Sequence, residues 1–155
     1  MSDHLETIRT YYDGCSRGDV DLMCSTLTDD VVHYFLAPNP GSRPVAGAEH
    51  LARYWRKVHS LLAATWVVDH IVDQGDEAVI EWTMFWNPPD EAPRTLTRGA
   101  EWFCFSDGRI REIRSYYQQH AEPTELDSFP YEERSYSRLG QESSARHPST
   151  QGARP

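Results

Sequence analysis

The chain has 155 residues, a hydrophobic content of 39% and a formal net charge of −9 at pH 7. This length suits one domain with a buried core. The acidic charge argues against nucleic acid and anionic membranes as partners, because both bind to basic surfaces. Three cysteines without C-x-x-C spacing, and no apolar run of membrane-spanning or signal-peptide type, predict a cytoplasmic protein with reduced thiols.

The N-terminal half is predicted to be mainly helical. Apolar residues recur at helical spacing over residues 3–16, and Asp19 is a suitable N-cap for a short second helix that reaches Leu27. The β-branched and aromatic run DDVVHYFLAP then predicts a strand that stops at Pro38. The segment GAEHLARYWRKVHSLLA returns to the helical period and predicts a third helix with one apolar side.

The second half is predicted to be sheet. The segments TWVVDHIVDQ and EAVIEWTMFWN flank Gly75 and Asp76, and RTLTRGAEWFCF and RIREIRSYYQQ flank the turn at residues 106–108. Each pair predicts a β-hairpin. Helices followed by antiparallel strands indicate an α+β fold, in which three helices from the N-terminal half cover the concave face of a curved, mainly antiparallel sheet.

The composition changes after about residue 120, where Pro, Ser, Glu and Arg follow without a period. We therefore predict one domain over residues 1–122 and a C-terminal extension over residues 123–155. The extension segment LDSFPYEERSY has enough aromatic residues to dock on the domain, whereas SSARHPSTQGARP is typical of disorder.

Alternation along the strands predicts which side chains face inward. The inner face is expected to carry three ionisable groups, His33, His70 and Glu101, among aromatic residues. Burying an unpaired carboxylate costs several kcal/mol, so we expect Glu101 to be paired or protonated. Groups perturbed in this way are typical of proton-transfer sites.

The outer face of the sheet is expected to mix aromatic rings with opposite charges. Such a face favours a homodimer interface over a solvated surface. The residues assigned to it are Glu81, Phe85, Arg98, Trp102, Glu112, Arg114 and Tyr116.

Several local patterns, taken in order, are those of one known group of proteins. YY…GD on the first helices, TDDVVHY, GAEHLARYWRKV and FSDGRIREIRSYY together resemble the SnoaL-like branch of the nuclear-transport-factor-2-like superfamily. This branch includes ketosteroid isomerases, scytalone dehydratase, bile-acid dehydratases and polyketide cyclases. The resemblance covers about residues 3 to 120 and implies a cone-shaped sheet, but the fold hosts many chemistries and some pure binders.

The resemblance also implies roles for individual residues. Tyr11 falls where the isomerases carry a tyrosine that donates a hydrogen bond to the substrate oxygen, and Glu101 falls where they hold a protonated carboxylic acid. The aspartate base of the isomerases falls at Phe35, which cannot take a proton. His70 resembles, by position, the histidine that dehydratases use for elimination, so the set is closest to the tyrosine–histidine–carboxylate sites of bile-acid dehydratases.

We accordingly predict a catalytic set of Tyr11, His70, Glu101 and His33. Each member also has a structural interpretation: a core tyrosine, histidines with satisfied hydrogen bonds, and a glutamate paired with an arginine. No metal ligand is predicted, because no histidine pair has H-x-x-x-H spacing. The residues predicted to line a substrate pocket are Tyr12, Phe35, Tyr54, Trp82, Met84, Phe103, Ser115 and Tyr117.

The predicted function is that of an acid/base enzyme without a cofactor, which acts as a dehydratase, isomerase or cyclase. Elimination of water is preferred, because the isomerase base is missing and the dehydratase-like His70 is present. The expected substrate is a small, apolar, oxygenated and cyclic metabolite, and the SnoaL-like resemblance implies specialised metabolism. The alternative is a small-molecule-binding module of the same fold without chemistry.

Overall fold

The computed structural model describes residues 3–39 and 43–142 of the chain. The helices are α1 (His4–Arg17), α2 (Val20–Cys24) and α3 (Ala48–Leu62). The strands are β1 (Leu27–Phe35), β2 (Val45–Ala46), β3 (Thr65–Gln74), β4 (Glu77–Trp86), β5 (Thr95–Ser106) and β6 (Arg109–Tyr116). The predicted α+β class is confirmed. The short strand β2 was not predicted.

The turn between α1 and α2 follows from local sequence. Gly18 ends α1 in the left-handed region with φ 68°, a conformation that glycine adopts at little cost. The side chain of Asp19 then accepts a hydrogen bond from the backbone N–H of Leu22 at 3.0 Å, which confirms the predicted N-cap.

All six strands form one sheet in the order β2-β1-β6-β5-β4-β3. Neighbouring strands are antiparallel except β1 and β6, which run parallel, so the predicted mainly antiparallel sheet is confirmed. The parallel pair matters for the site, because it places β1 beside β6. Only β6 then separates β1 from β5.

The three helices cover one face of the sheet and bury a continuous core between the two layers. Burying a large apolar side chain of this kind stabilises the fold by about 1.5–3 kcal/mol. Core members from both layers, all less than 2% exposed, include Ile8, Tyr11, Met23, Leu51, Ile80, Phe103, Ile110 and Ile113.

A β-bulge at Asp69 reverses the predicted faces of β3 beyond that residue. Val68 and His70 pair with two consecutive residues of β4, so Asp69 is an extra residue in the ladder. Beyond the bulge Ile71 packs against the core, and the side chain of His70 is 61% exposed. The prediction that His70 lies on the enclosed inner face is therefore wrong, because simple alternation does not continue through a bulge.

The outer face of the sheet is partly covered by residues 118–142, which we call the strap. The guanidinium of Arg98 donates to the carbonyl oxygen of Ser137 at 2.6 Å and lies 4.2 Å from the ring centroid of Tyr131. The backbone N–H of Ser137 donates to Asp69 at 2.8 Å. These contacts fix the middle of the strap across β3, β4 and β5.

The end of the strap is held by a second set of contacts, in which Glu142 accepts from Arg94 at 2.6 Å and from Thr65 at 3.0 Å. Phe85 lies on the outer face in a cluster with Val67 and Leu96 and is fully buried. The prediction that Phe85 and Arg98 face a second subunit is wrong, because Phe85 is buried within this chain and Arg98 is bonded to the strap.

The rest of the outer face is open. Trp102 is 40% exposed and Tyr116 is 50% exposed. A homodimer through this remaining area stays a prediction. The expected disorder of SSARHPSTQGARP falls on residues 143–155, outside the described residues. In the described part of the chain, none of the helices has both the length and the apolar character needed to cross a membrane.

Candidate active site

Three polar side chains from three strands meet inside the core. Ser115 of β6 pairs with Glu101 of β5, and on its other side β6 pairs with β1, which brings His33 to the same place. The Nε2 atom of His33 lies 2.5 Å from Oγ of Ser115 and 3.3 Å from Oε2 of Glu101. All three residues are at most 2% exposed. The predicted enclosure of His33 and Glu101 is confirmed.

Burial determines the charge of both ionisable groups. It raises the pKa of Glu101 to about 8, against the opposing effect of the hydrogen bond from Ser115. It lowers the pKa of His33 to about 3. At neutral pH the pair therefore consists of a carboxylic acid and an uncharged imidazole.

One arrangement of protons satisfies both hydrogen bonds of Ser115 and leaves an acid and a base free. The hydroxyl of Ser115 donates to Oε2 of Glu101, and its oxygen accepts from Nε2–H of His33. In this arrangement Nδ1 of His33 carries a lone pair, and Oε1 of Glu101 carries the acid proton. Both Nδ1 and Oε1 are buried without a hydrogen-bond partner. The base His33 and the acid Glu101 therefore each keep one atom that can meet a ligand.

Tyr11 brings a fourth polar side chain to this interior from α1. Its side chain is fully buried, and its hydroxyl lies beside the indole N–H of Trp55 and the thiol of Cys15. Burial, followed by the charges of Cys15 and Glu101, raises the pKa of this phenol well above its ordinary value, and the nearby indole N–H of Trp55 has a weaker opposite effect. Tyr11 therefore stays protonated close to Glu101, as a donor.

Aromatic rings connect this group with the surface. His33 stacks on Phe35 with 4.2 Å between centroids, and Phe35 lies 5.7 Å from Tyr54. Phe35, Tyr54 and Tyr117 are only partly buried. Burial and the charges of Tyr54 and Glu101 raise the pKa of Tyr117, so these rings border the same interior. They mark the side on which the site approaches solvent.

The other predicted lining residues lie deeper. Tyr12 packs edge-on against Tyr11 and Phe103, with centroids 5.2 Å and 6.4 Å away. Met84 is 4% exposed and Phe103 is fully buried, so both lie within the core.

The structure does not bring His70 to this site. Its Nδ1 atom lies 3.8 Å from Oε1 of Glu81 on the outer face. Trp55 of α3 was not among the predicted site residues. It is 7% exposed, and its indole nitrogen lies beside the hydroxyl of Tyr11. Its place on the apolar side of α3 gave no sign that the indole nitrogen meets a polar group of the site.

Residues 8–113 match the SnoaL-like domain family. A protein of unknown function with a cystatin-like fold from Methylobium petroleophilum PM1 is 32% identical, over 88% of this chain and 91% of that chain, with a TM-score of 0.66. No curated protein matches the chain.

Two further solved structures show the same fold at lower identity. An NTF2-like protein from Burkholderia pseudomallei K96243 is 18% identical, over 76% of this chain and 92% of its own, with a TM-score of 0.65. A protein designated a SnoaL-like polyketide cyclase from Jannaschia sp. CCS1 is 19% identical, over 74% of this chain and 85% of its own, with a TM-score of 0.62.

Proposed function

The chain belongs to the SnoaL-like domain family, and from this membership and its buried polar group we propose that it is a cofactor-independent acid/base enzyme. The observation that carries the proposal is the His33–Ser115–Glu101 group, whose base and acid each keep one unpartnered atom. Unpaired buried polar atoms are costly in a native core, and at functional sites they are the atoms that meet a ligand.

The proposed step is proton transfer at a carbon next to a carbonyl group. Nδ1 of His33 takes the proton from carbon, and the bonding electrons move to the substrate oxygen. Oε1 of Glu101 gives its proton to that oxygen while Tyr11 donates a hydrogen bond to it. General acid and base groups of this kind each contribute about 10² to 10⁴ in rate.

Coupling between the two groups is essential to this step. An imidazole with a pKa of about 3 is a weak base on its own. When Glu101 loses its proton, however, a negative charge appears 3.3 Å from the imidazole that has just become positive, and the two charges stabilise each other. Ser115 can then pass the Nε2 proton of His33 to Oε2 of Glu101, which restores two neutral groups.

The proposed proton transfer is a step that dehydration, isomerisation and cyclisation have in common. The preference for elimination of water depended on His70, which lies outside the site. The Jannaschia protein designated a polyketide cyclase supports this wider class by analogy of fold.

The lining supports a small, cyclic and largely apolar substrate that carries oxygen. The rings of Phe35 and Trp55 pack against His33, and Tyr54 packs against both of these rings. Trp82 packs against Tyr117, which lies near Glu101. Flat rings pack well against such walls, and a few convergent polar atoms orient them.

The test is hydrogen–deuterium exchange in D₂O, followed by proton NMR with cyclohexanone and α-tetralone as probes. The assay reads proton removal directly and does not depend on the natural product. We expect the wild type to accelerate exchange next to the carbonyl, and His33→Phe and Glu101→Gln to lose that acceleration by about 10²-fold or more. His70→Ala is the matched control, since it removes a histidine beside a glutamate on the outer face, and it should exchange like the wild type.

The binding-module alternative gives a different result. Probes would then bind without any exchange above the buffer rate in the wild type. Equal exchange rates in the wild type and in Glu101→Gln would also contradict the proposal, because the acid would then take no part.

A further inference from the structure

Trp82 differs from two other indoles of this chain in its hydrogen bonding. The Nε1 atoms of Trp86 and Trp102 donate to Thr97 at 2.9 Å and to Glu77 at 3.0 Å. Trp82 is 3% exposed, yet its Nε1 atom has no hydrogen-bond partner. A buried indole N–H normally has one, so this donor needs an explanation.

The orientation of the Trp82 ring is fixed by Gly99, its partner across β4 and β5. A Cβ atom on Gly99 would lie 2.5 Å from Cζ2 of Trp82 and 2.7 Å from Cη2. The indole therefore lies directly over the glycine, in space that any side chain would fill. This close approach shows that the Trp82 ring has a fixed position over Gly99.

Strand register places the indole next to the acid. Gly99 precedes Glu101 by two residues on the same face of β5, a separation of about 7 Å along the strand. The ring of Trp82 also contacts Tyr117, with centroids 5.2 Å apart. The unpartnered N–H of Trp82 therefore lies beside the part of β5 that carries Glu101, on the side where the interior approaches solvent.

We propose that the indole N–H of Trp82 binds a second acceptor oxygen of the substrate, beyond the oxygen that Glu101 and Tyr11 hold. This inference rests on the proposed function and narrows its substrate class. The class is a cyclic compound with a carbonyl at the reacting centre and another oxygen on the opposite side of the ring. That oxygen is neutral, because an ion would lose its hydration between the Tyr117 ring and the uncharged Glu101.

The proposal is tested on the full chain with tryptophan labelled by ¹⁵N in the indole ring. The probes are cyclohexanone and a cyclohexanedione with its carbonyls at opposite ends of the ring, titrated while indole N–H signals are recorded. The Trp82→Phe variant identifies the Trp82 signal by its loss. We expect the dione to shift this signal downfield and cyclohexanone to leave it in place.

Affinities give an independent measurement. Trp82→Phe keeps an aromatic ring but removes the donor, so it should bind the dione roughly fivefold more weakly and cyclohexanone with little change. Trp102→Phe, on the outer face, is the matched control and should bind both probes like the wild type. Gly99→Ala should weaken dione binding as Trp82→Phe does, because the methyl group displaces the indole from its seat.

Two outcomes separate this inference from the function on which it rests. If Glu101→Gln abolishes deuterium exchange while the dione leaves the Trp82 signal unmoved, the second-oxygen proposal is wrong and the enzyme proposal stands. If the dione shifts the Trp82 signal but the wild type exchanges no probe, the binding role of Trp82 stands and the enzyme proposal is wrong.

Discussion

The Nε2 atom of His33 lies 3.3 Å from Oε2 of Glu101 inside the core, across the strand that carries Ser115. The pair makes stability depend on pH in a defined direction. Folding keeps Glu101 protonated up to about pH 8, whereas its ordinary pKa is 4.5, so its contribution to stability falls as pH rises between these values. His33 stays neutral down to about pH 3 against an ordinary 6.5, so its contribution falls as pH drops.

The ordinary pKa values of the two groups are 4.5 for Glu101 and 6.5 for His33. Between these values the fall in stability from Glu101 with rising pH cancels the gain in stability from His33. Stability from the pair should therefore decline from pH 6.5 to 8, by about 2 kcal/mol for one proton. Glu101→Gln stays neutral and should lose this decline. Thermal melts of both proteins across this range measure it, and two parallel curves would contradict the pKa assigned to Glu101.

Ser115→Ala tests the link between acid and base. The hydrogen bond from Ser115 lowers the pKa of Glu101, so its loss should raise that pKa further above about 8. Carbon NMR of labelled glutamate measures this shift, which an effect on packing alone would not produce. Deuterium exchange should fall roughly ten- to hundredfold, since the deletion leaves buried polar atoms unpaired. A variant with an unchanged glutamate titration would show that Ser115 does not tune the acid.

Arg98 is expected to hold the strap on the sheet. Its side chain donates to Thr83 at 2.8 Å, to Glu125 at 2.6 Å and to the carbonyl of Ser137 at 2.6 Å. Arg98→Ala should lower the free energy of unfolding by about 1–3 kcal/mol, because these acceptors lose their donor. Arg53→Ala, which breaks an exposed helical pair with Glu49, should change it by less than about 1 kcal/mol in the same urea titration.

Two aromatic residues on the outer face should respond differently to truncation. Phe85→Ala should destabilise the fold by about 3–5 kcal/mol, because this ring is fully buried in a cluster with Val67 and Leu96. Trp102→Ala should cost much less in a dilute monomer, since Trp102 is 40% exposed.

Light scattering on the Trp102→Ala variant also tests the predicted homodimer. If the open part of the outer face is the interface, the variant should dissociate at concentrations where the wild type is paired. A wild-type protein that is monomeric at micromolar concentration would contradict the homodimer prediction.

The sequence by itself determined the layers of this protein. Helical periods, β-branched runs and turn residues are local signals, and they were sufficient for α1, α3 and both hairpins. They also placed Glu101 and His33 on inner faces, because alternation holds along the regular parts of β1 and β5. The very short β2 carries too few residues for such a signal.

Only the tertiary structure decided which groups meet. The bulge at Asp69 arises from pairing between β3 and β4, so the sequence of β3 alone gives no indication that His70 points outward. The parallel contact of β1 with β6 brings His33 to Glu101, and the docked strap fills part of the outer face. The physical reason is common to all three: contacts between distant segments set the register and the burial, and burial in turn sets the charge of each group.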